Sequence, residues 1–75
     1  MNTKIIGERI RELRLDNRLS QEEFGKMLGL SQDTISFWER GKGLPSVIDV
    51  IHIIEIFSKD NDRITADYLL GLDIY

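Results

Sequence analysis

The chain has 75 residues, of which 41% are hydrophobic and 31% are charged, and its formal net charge is −3. This length predicts a single domain, and the absence of cysteine excludes a disulfide framework or a thiolate metal site. The sequence contains no apolar run long enough to cross a bilayer, and its first residues become charged too early for a signal peptide, so we expect a cytoplasmic protein.

The first predicted helix extends from about Lys4 to Asp16. Ile6, Ile10 and Leu13 are spaced at i, i+4 and i+7, which places them on one face of a helix. Charged residues occupy the other faces. The pattern predicts a helix that packs one side against a core.

Two short helices are predicted next, separated by very few residues. Ser20-x-x-Glu23 is a capping box that opens the first, and Gly29 ends it. Ser31 can cap the second, which is predicted over Gln32–Arg40. Such a pair forms a helix-turn-helix, but a generic antiparallel hairpin in a small helical bundle fits this spacing equally well.

Gly25 lies in the middle of the first helix of this pair, where glycine costs about 1 kcal/mol relative to alanine. The simplest explanation is a close approach of the second helix, whose Ile35 and Trp38 are predicted to face inward. Gly25→Ala is then expected to be neutral or slightly stabilising, and Gly25→Leu to unfold the domain or displace the second helix.

A fourth helix opens with a second capping box, Ser46-x-x-Asp49, and a short fifth helix is capped by Thr65 and closed by Gly71. No segment alternates as a strand would, so the predicted fold is all-α. The predicted core stripe of the fourth helix is Val47, Val50, Ile51, Ile54 and Phe57. The apolar residues left over on its polar side are Ile48 and Ile56.

Residues 19–25 (LSQEEFG) and 29–46 (GLSQDTISFWERGKGLPS) resemble the Cro/C1-type helix-turn-helix family, the phage-repressor and XRE-like group. The WERGK block at 38–42, with Pro45 behind it, is the most specific part. The resemblance covers about residues 5–72, and Gly25 departs from it because alanine is usual there. It implies a compact five-helix, lambda repressor-like domain that binds double-stranded DNA sequence-specifically, as a repressor-like transcriptional regulator does.

The resemblance also implies that helix Gln32–Arg40 enters the major groove. The implied base-contacting residues are Gln32, Asp33, Ser36 and Phe37. Glutamine can read adenine, aspartate can accept from cytosine, and a phenylalanine ring can pack on a thymine methyl. Each has a plainer interpretation: Gln32 as an ordinary first-turn residue, Asp33 as a helix-dipole partner, and Phe37 as packing against a neighbouring helix.

Phosphate contacts are implied for a second set, which consists of Gln21, Thr34, Arg40 and Lys42. The amino terminus of the second helix adds its own amides. Arg14 and Glu39 resemble an ion pair of the family that joins the first helix to the third, and we expect this pair to be partly buried.

The acidic balance is an objection to nucleic-acid binding, because phosphate binding requires clustered cations. The charge is segregated, however: residues 1–45 carry 8 basic and 7 acidic residues, and residues 46–75 carry 2 and 6. The sequence therefore predicts modest affinity with a shallow salt dependence. The alternative is a protein-interaction module, antitoxin-like or anti-repressor-like, that uses the same fold with weak or no DNA binding.

Neither an enzyme nor a cofactor or metal site is expected, because His52 is the only histidine and no cysteine accompanies it. A homodimer on a palindromic operator is expected, since a twofold pair doubles the contacts. The predicted dimer interface is the apolar end of the chain, comprising Tyr68, Leu69, Leu72, Ile74 and Tyr75. The alternative is that this tail folds back over the fourth helix of its own chain.

Overall fold

The computed structural model describes residues 2–59 and 61–73, and within them it contains five helices and no strand. The helices are α1 (Thr3–Asp16), α2 (Gln21–Leu28), α3 (Gln32–Glu39), α4 (Val47–Phe57) and α5 (Ala66–Leu70). The predicted all-α fold with five helices is confirmed. None of the described helices is long and apolar enough to cross a membrane.

A side-chain cap begins each helix, and this explains why the boundaries follow the sequence so closely. In each case a side-chain oxygen accepts a hydrogen bond from a backbone amide of the first turn. Both predicted capping boxes are present, at Ser20 with Glu23 and at Ser46 with Asp49. The five caps are Asn2, Ser20, Ser31, Ser46 and Thr65.

The core lies where α1, α2, α3 and α4 meet, and α5 closes it from one side. Phe24 of α2 stacks on Phe57 of α4 with ring centroids 5.3 Å apart, which joins the helix-turn-helix to the following helix. Gly7 makes a further close contact, with the end of α3, that the sequence did not indicate. A Cβ at this position would overlap the carbonyl oxygen of Trp38, so Gly7 allows α1 to lie directly on the end of α3.

The face by which α4 packs differs from the prediction. Val50, Ile53 and Phe57 are buried, whereas Val47 and Ile51, both predicted in the core, are exposed. All but three of the eleven residues of α4 are apolar, so several stripes are equally hydrophobic and the packing of α2 and α5 selects one. His52 is exposed.

The segment after α4 contributes more to the core than its polar sequence suggested. Ile64 and Leu69 are both buried, and Leu69 is only 1% exposed. Leu69, which is predicted as a dimer contact, is covered by the core of its own chain, and little of its side chain is accessible to a second copy.

Candidate nucleic-acid interface

The turn between α2 and α3 is tight and is held by backbone contacts. Gly29 has φ +72°, a left-handed conformation that glycine adopts without strain, and the Leu30 amide donates to the Gly25 carbonyl at 2.8 Å. A Cβ added to Gly25 would lie 2.7 Å from the Leu30 carbonyl oxygen. The close approach predicted at Gly25 is therefore made by the turn, not by the body of α3.

This geometry argues against the expectation that Gly25→Ala is neutral or stabilising. The nearest atoms are backbone atoms, of Leu30 and then Ser31, and they can move away only if the turn moves. An alanine at position 25 would therefore require the turn to lie farther from α2 than it does here.

Two buried side chains fix the orientation of α3. Ile35 is fully buried and Trp38 is 4% exposed, as predicted. The opposite side of the helix faces outward and carries Gln32, Asp33 and Phe37, with Ser36 half-buried beside them. We call these four residues the reading face. All four predicted base-contacting residues thus lie on or at the edge of one surface.

The Phe37 ring lies against the loop after α3. It is 47% exposed, and a Cβ added to Gly43 would lie 2.7 Å from its Cε2 atom. The ring therefore rests on the backbone of the loop after α3, and its outer side is open. Gly43 leaves room for this ring, because a side chain there would overlap it.

The carboxyl end of α3 presents two cationic side chains. Gly41 adopts φ +72°, and the Lys42 amide donates to the Phe37 carbonyl at 3.0 Å, so the backbone of Lys42 is held while its side chain is exposed. The exposed Arg40 guanidinium donates through Nε to the Ser36 carbonyl at 3.3 Å. Both predicted phosphate-contacting cations are accessible.

Gln21 lies at the same end of α3. Its Nε2 atom donates to the Glu39 Oε1 atom at 3.2 Å, although Gln21 is the first residue of α2. An amide nitrogen carries two hydrogens, so a second one remains for another acceptor. Thr34 is half-buried near the other end, where its hydroxyl lies 3.0 Å from that of Ser31.

The predicted ion pair between Arg14 and Glu39 is confirmed. Arg14 Nε and Nη2 donate to the two carboxylate oxygens at 2.7 and 3.0 Å, and the side chains are 10% and 4% exposed. Arg14 Nη1 also donates to the Leu19 carbonyl at 2.9 Å. The hydrogen bond to Glu39 raises the pKa of Arg14 against the opposing effect of burial, so the guanidinium stays charged.

This pair joins the helices that carry the interface. Arg14 comes from α1, Glu39 is the last residue of α3, and Gln21 adds the start of α2. Since Arg14 neutralises Glu39, the carboxylate repels a nearby phosphate far less than an unpaired acid would. The eight residues of α3 extend over about 12 Å, a length that fits within the major groove.

The predicted dimer residues that the structure describes are divided between contacts within the chain and solvent. Tyr68 is half-buried, and the Arg9 guanidinium lies 4.3 Å from the centre of its ring. Arg9 Nη1 also donates to the Tyr68 carbonyl at 2.9 Å, which fastens α5 to α1. Leu72 is exposed, while Ile74 and Tyr75 lie outside the described residues.

The chain is similar to known transcriptional regulators. Repressor protein C2 of Salmonella phage P22 is 35% identical over 74 residues, which is 99% of this chain and 32% of that protein. The HTH-type transcriptional activator BcrR of Enterococcus faecalis is 36% identical over 66 residues, 88% of this chain and 30% of that protein. An uncharacterized HTH-type transcriptional regulator of Archaeoglobus fulgidus is 40% identical over 50 residues, 67% of this chain and 71% of that protein.

The chain thus spans about a third of the length of the phage and Enterococcus relatives. No solved structure matches it significantly. The profile of the helix-turn-helix family matches residues 10–60, a segment that runs from α1 through α2, α3 and the whole of α4. With the repressor-like motifs around α2 and α3, this match establishes that the chain belongs to the helix-turn-helix family of the Cro/C1 type.

Proposed function

We propose that this chain is the DNA-binding domain of a transcriptional regulator and that α3 reads base edges in the major groove. The observation that carries the proposal is the reading face itself. It presents an amide, a carboxylate, a hydroxyl and an aromatic ring on a helix whose opposite side is anchored by Ile35 and Trp38. These groups match the donors, acceptors and thymine methyl exposed in the major groove. A cytoplasmic location follows from this role.

The surroundings of α3 support phosphate binding on one side of the reading face. Gln21, Arg40 and Lys42 cluster at its carboxyl end, and the amino terminus of α2 adds backbone amides with a positive dipole. The similar proteins include a named repressor and a named activator, so regulation in either direction is compatible with the family.

A protein-interaction module with the same fold is the competing function, and duplex binding separates the two. A gel shift with pooled random duplexes at low salt should retain the domain, and selection from that pool should yield a preferred site. Gln32→Ala should then weaken the preferred site by about 1–3 kcal/mol and leave random duplexes almost unaffected.

Lys42→Ala is the matched control, because it removes an exposed cation from the other end of the same surface. It should weaken binding to all duplexes equally and reduce the salt slope by about one. Equal losses on selected and random DNA for Gln32→Ala would contradict its reading role. Failure of the unaltered domain to retain any duplex at low salt would favour the interaction module.

We further propose that the domain acts as a homodimer on a palindromic site. The domain measures 32 × 29 × 21 Å, and half-sites read by such pairs are centred about 34 Å apart. Two copies that lie side by side along one of the longer axes have centres separated by about this distance. Such a pair would also double the small number of cations that meet phosphate.

A further inference from the structure

The amino-terminal end of α1 lies against the turn that follows α3. A Cβ added to Gly41 would lie 3.4 Å from the Lys4 Cα atom and 3.6 Å from the Lys4 amide nitrogen. The Gly41 Cα atom is one bond length farther away, so the two Cα atoms lie within about 5 Å of each other. Because Lys42 follows Gly41, α1 begins beside the cations at the carboxyl end of α3.

The packing of α1 on α3 sets the direction in which the Lys4 side chain projects. Gly7 of α1 lies against the carbonyl of Trp38, and about one turn earlier Lys4 lies against Gly41. The chain after α3 therefore runs toward the amino-terminal end of α1, and Lys42 is its next residue. The Cα–Cβ bonds of a helix tilt toward its amino terminus. The exposed Lys4 side chain thus starts out toward Lys42.

The Lys4 ammonium is the group that this segment offers to a ligand. Within the residues that the structure describes, no carboxylate lies within 4.0 Å of the ammonium of Lys4 or of Lys42. The Lys4 amide, in contrast, donates to the Asn2 Oδ1 atom at 2.9 Å and is already satisfied. An anion that approaches this end of the domain therefore meets side-chain charge and not an open backbone amide of Lys4.

We propose that Lys4 binds the DNA backbone beside Lys42, so that α1 contributes a phosphate contact to the interface. This inference rests on the proposed function, because it adds a residue to the surface by which α3 meets the duplex. Lys4 belongs neither to the reading face nor to the phosphate-contacting set that the family resemblance implies.

The spacing of the two lysines fits phosphates. Their Cα atoms lie within about 9 Å of each other, since consecutive Cα atoms of a chain are about 3.8 Å apart. Flexible four-carbon stems allow both ammonium groups to reach one phosphate or two successive ones, which follow each other at about 3.4 Å along the axis of a strand. An ammonium is a compact point charge, so this contact is expected to be independent of sequence.

The contact also bears on the acidic balance of the chain. Residues 1–45 carry 8 basic and 7 acidic residues, and two of the eight, Arg9 and Arg14, are held in ion pairs. With Lys4, the exposed cations at the carboxyl end of α3 increase from two to three, because Lys4 joins Arg40 and Lys42. Positive charge is thereby concentrated where the duplex backbone would lie.

The salt dependence of DNA binding tests the proposal, with Lys4→Gln and Lys59→Gln as a matched pair. Each variant removes one exposed lysine charge, and Lys59 lies beyond the end of α4, in the acidic segment outside the proposed interface. Substitutions at exposed positions change stability little, so both variants should melt close to the unaltered domain. Affinity is measured by fluorescence anisotropy between about 50 and 200 mM salt, on a duplex selected from a random pool and on a random-sequence duplex.

Lys4→Gln should weaken binding to both duplexes by the same factor and reduce the salt slope by about one per domain. One phosphate contact accounts for about a threefold fall in affinity over a fourfold rise in salt, so the unaltered domain should lose about threefold more affinity than the variant over this range. Lys59→Gln should keep the slope of the unaltered domain. Lys4→Arg should keep it as well, since the charge is retained.

A salt slope for Lys4→Gln equal to that of Lys59→Gln would overturn the inference, and a reduced slope for Lys42→Ala in the same series would show that the proposed function still holds. A loss of affinity confined to the selected duplex would also overturn it, by assigning Lys4 to base edges. If the unaltered domain binds neither duplex, the proposed function fails and this inference fails with it.

Discussion

Removal of the Glu39 carboxylate charge should destabilise the domain far more than removal of an exposed charge. Glu39→Gln keeps the shape of the side chain but leaves the Arg14 guanidinium, 10% exposed, without a counter-charge. Breaking a buried pair in this way costs about 3–5 kcal/mol. A 75-residue domain has about 4–11 kcal/mol of total stability at 0.05–0.15 kcal/mol per residue. The variant should therefore lose between about a quarter and all of the domain's stability.

The chain offers a matched control for this change. Asp73→Asn removes the same kind of charge from the pair with Arg9, whose N–O distance is 3.3 Å and whose Asp73 side chain is 46% exposed. An exposed pair contributes about 0–1 kcal/mol, so this variant should unfold close to the unaltered domain. A double change of Arg14 and Glu39 to methionine should recover most of the loss, because no charge is then left unpaired.

Urea unfolding followed by tryptophan fluorescence measures these free energies. Trp38 is the only tryptophan and is 4% exposed next to Glu39, so its emission reports the state of the core directly. The reasoning is refuted if Glu39→Gln costs no more than Asp73→Asn. It is also refuted if the double methionine variant is less stable than Glu39→Gln.

Gly25→Ala should lower the free energy of unfolding by about 1 kcal/mol and so lower the urea midpoint, because overpacking against the Leu30 carbonyl exceeds the gain in helix propensity. A raised midpoint would contradict this. Gly43→Ala should displace the exposed Phe37 ring and change base preference in a duplex selection while the melting temperature stays nearly constant. Hydrogen bonds from Ser20 lower the pKa of Glu23, so the stability that the Glu23 carboxylate contributes is fully present above its unfolded pKa and is lost as pH falls through its folded pKa. Glu23→Gln should therefore make the melting temperature less dependent on pH below about 5. An unchanged pH dependence of the melting temperature would count against this.

Helix boundaries could be predicted from the sequence because the signals that set them are local. A serine or threonine three residues before its hydrogen-bond partner forms a cap regardless of what packs behind it, as at Ser20, Ser46 and Thr65. The ion pair of Arg14 with Glu39 connects residues 25 positions apart. It was predicted only through the family resemblance.

The face presented by α4 could not be predicted, because its sequence is apolar almost all round. Which residues are buried there depends on contacts with distant helices, and these selected Ile53 over Val47 and Ile51. The close contact of Gly7 with α3 could not be predicted for a similar reason. Its small size matters only because the Trp38 carbonyl lies against it, and nothing in the sequence near Gly7 indicates that contact.

The central claim is that α3 meets duplex DNA through its reading face, and NMR chemical-shift mapping tests it most directly. A ¹⁵N-labelled sample of the 75-residue chain is titrated with a duplex selected from a random pool. The largest amide shifts should lie at Gln32, Asp33, Ser36 and Phe37, with smaller ones at Gln21 and Lys42. Shifts centred on α5 or on the acidic residues after α4, with α3 unaffected, would contradict the claim.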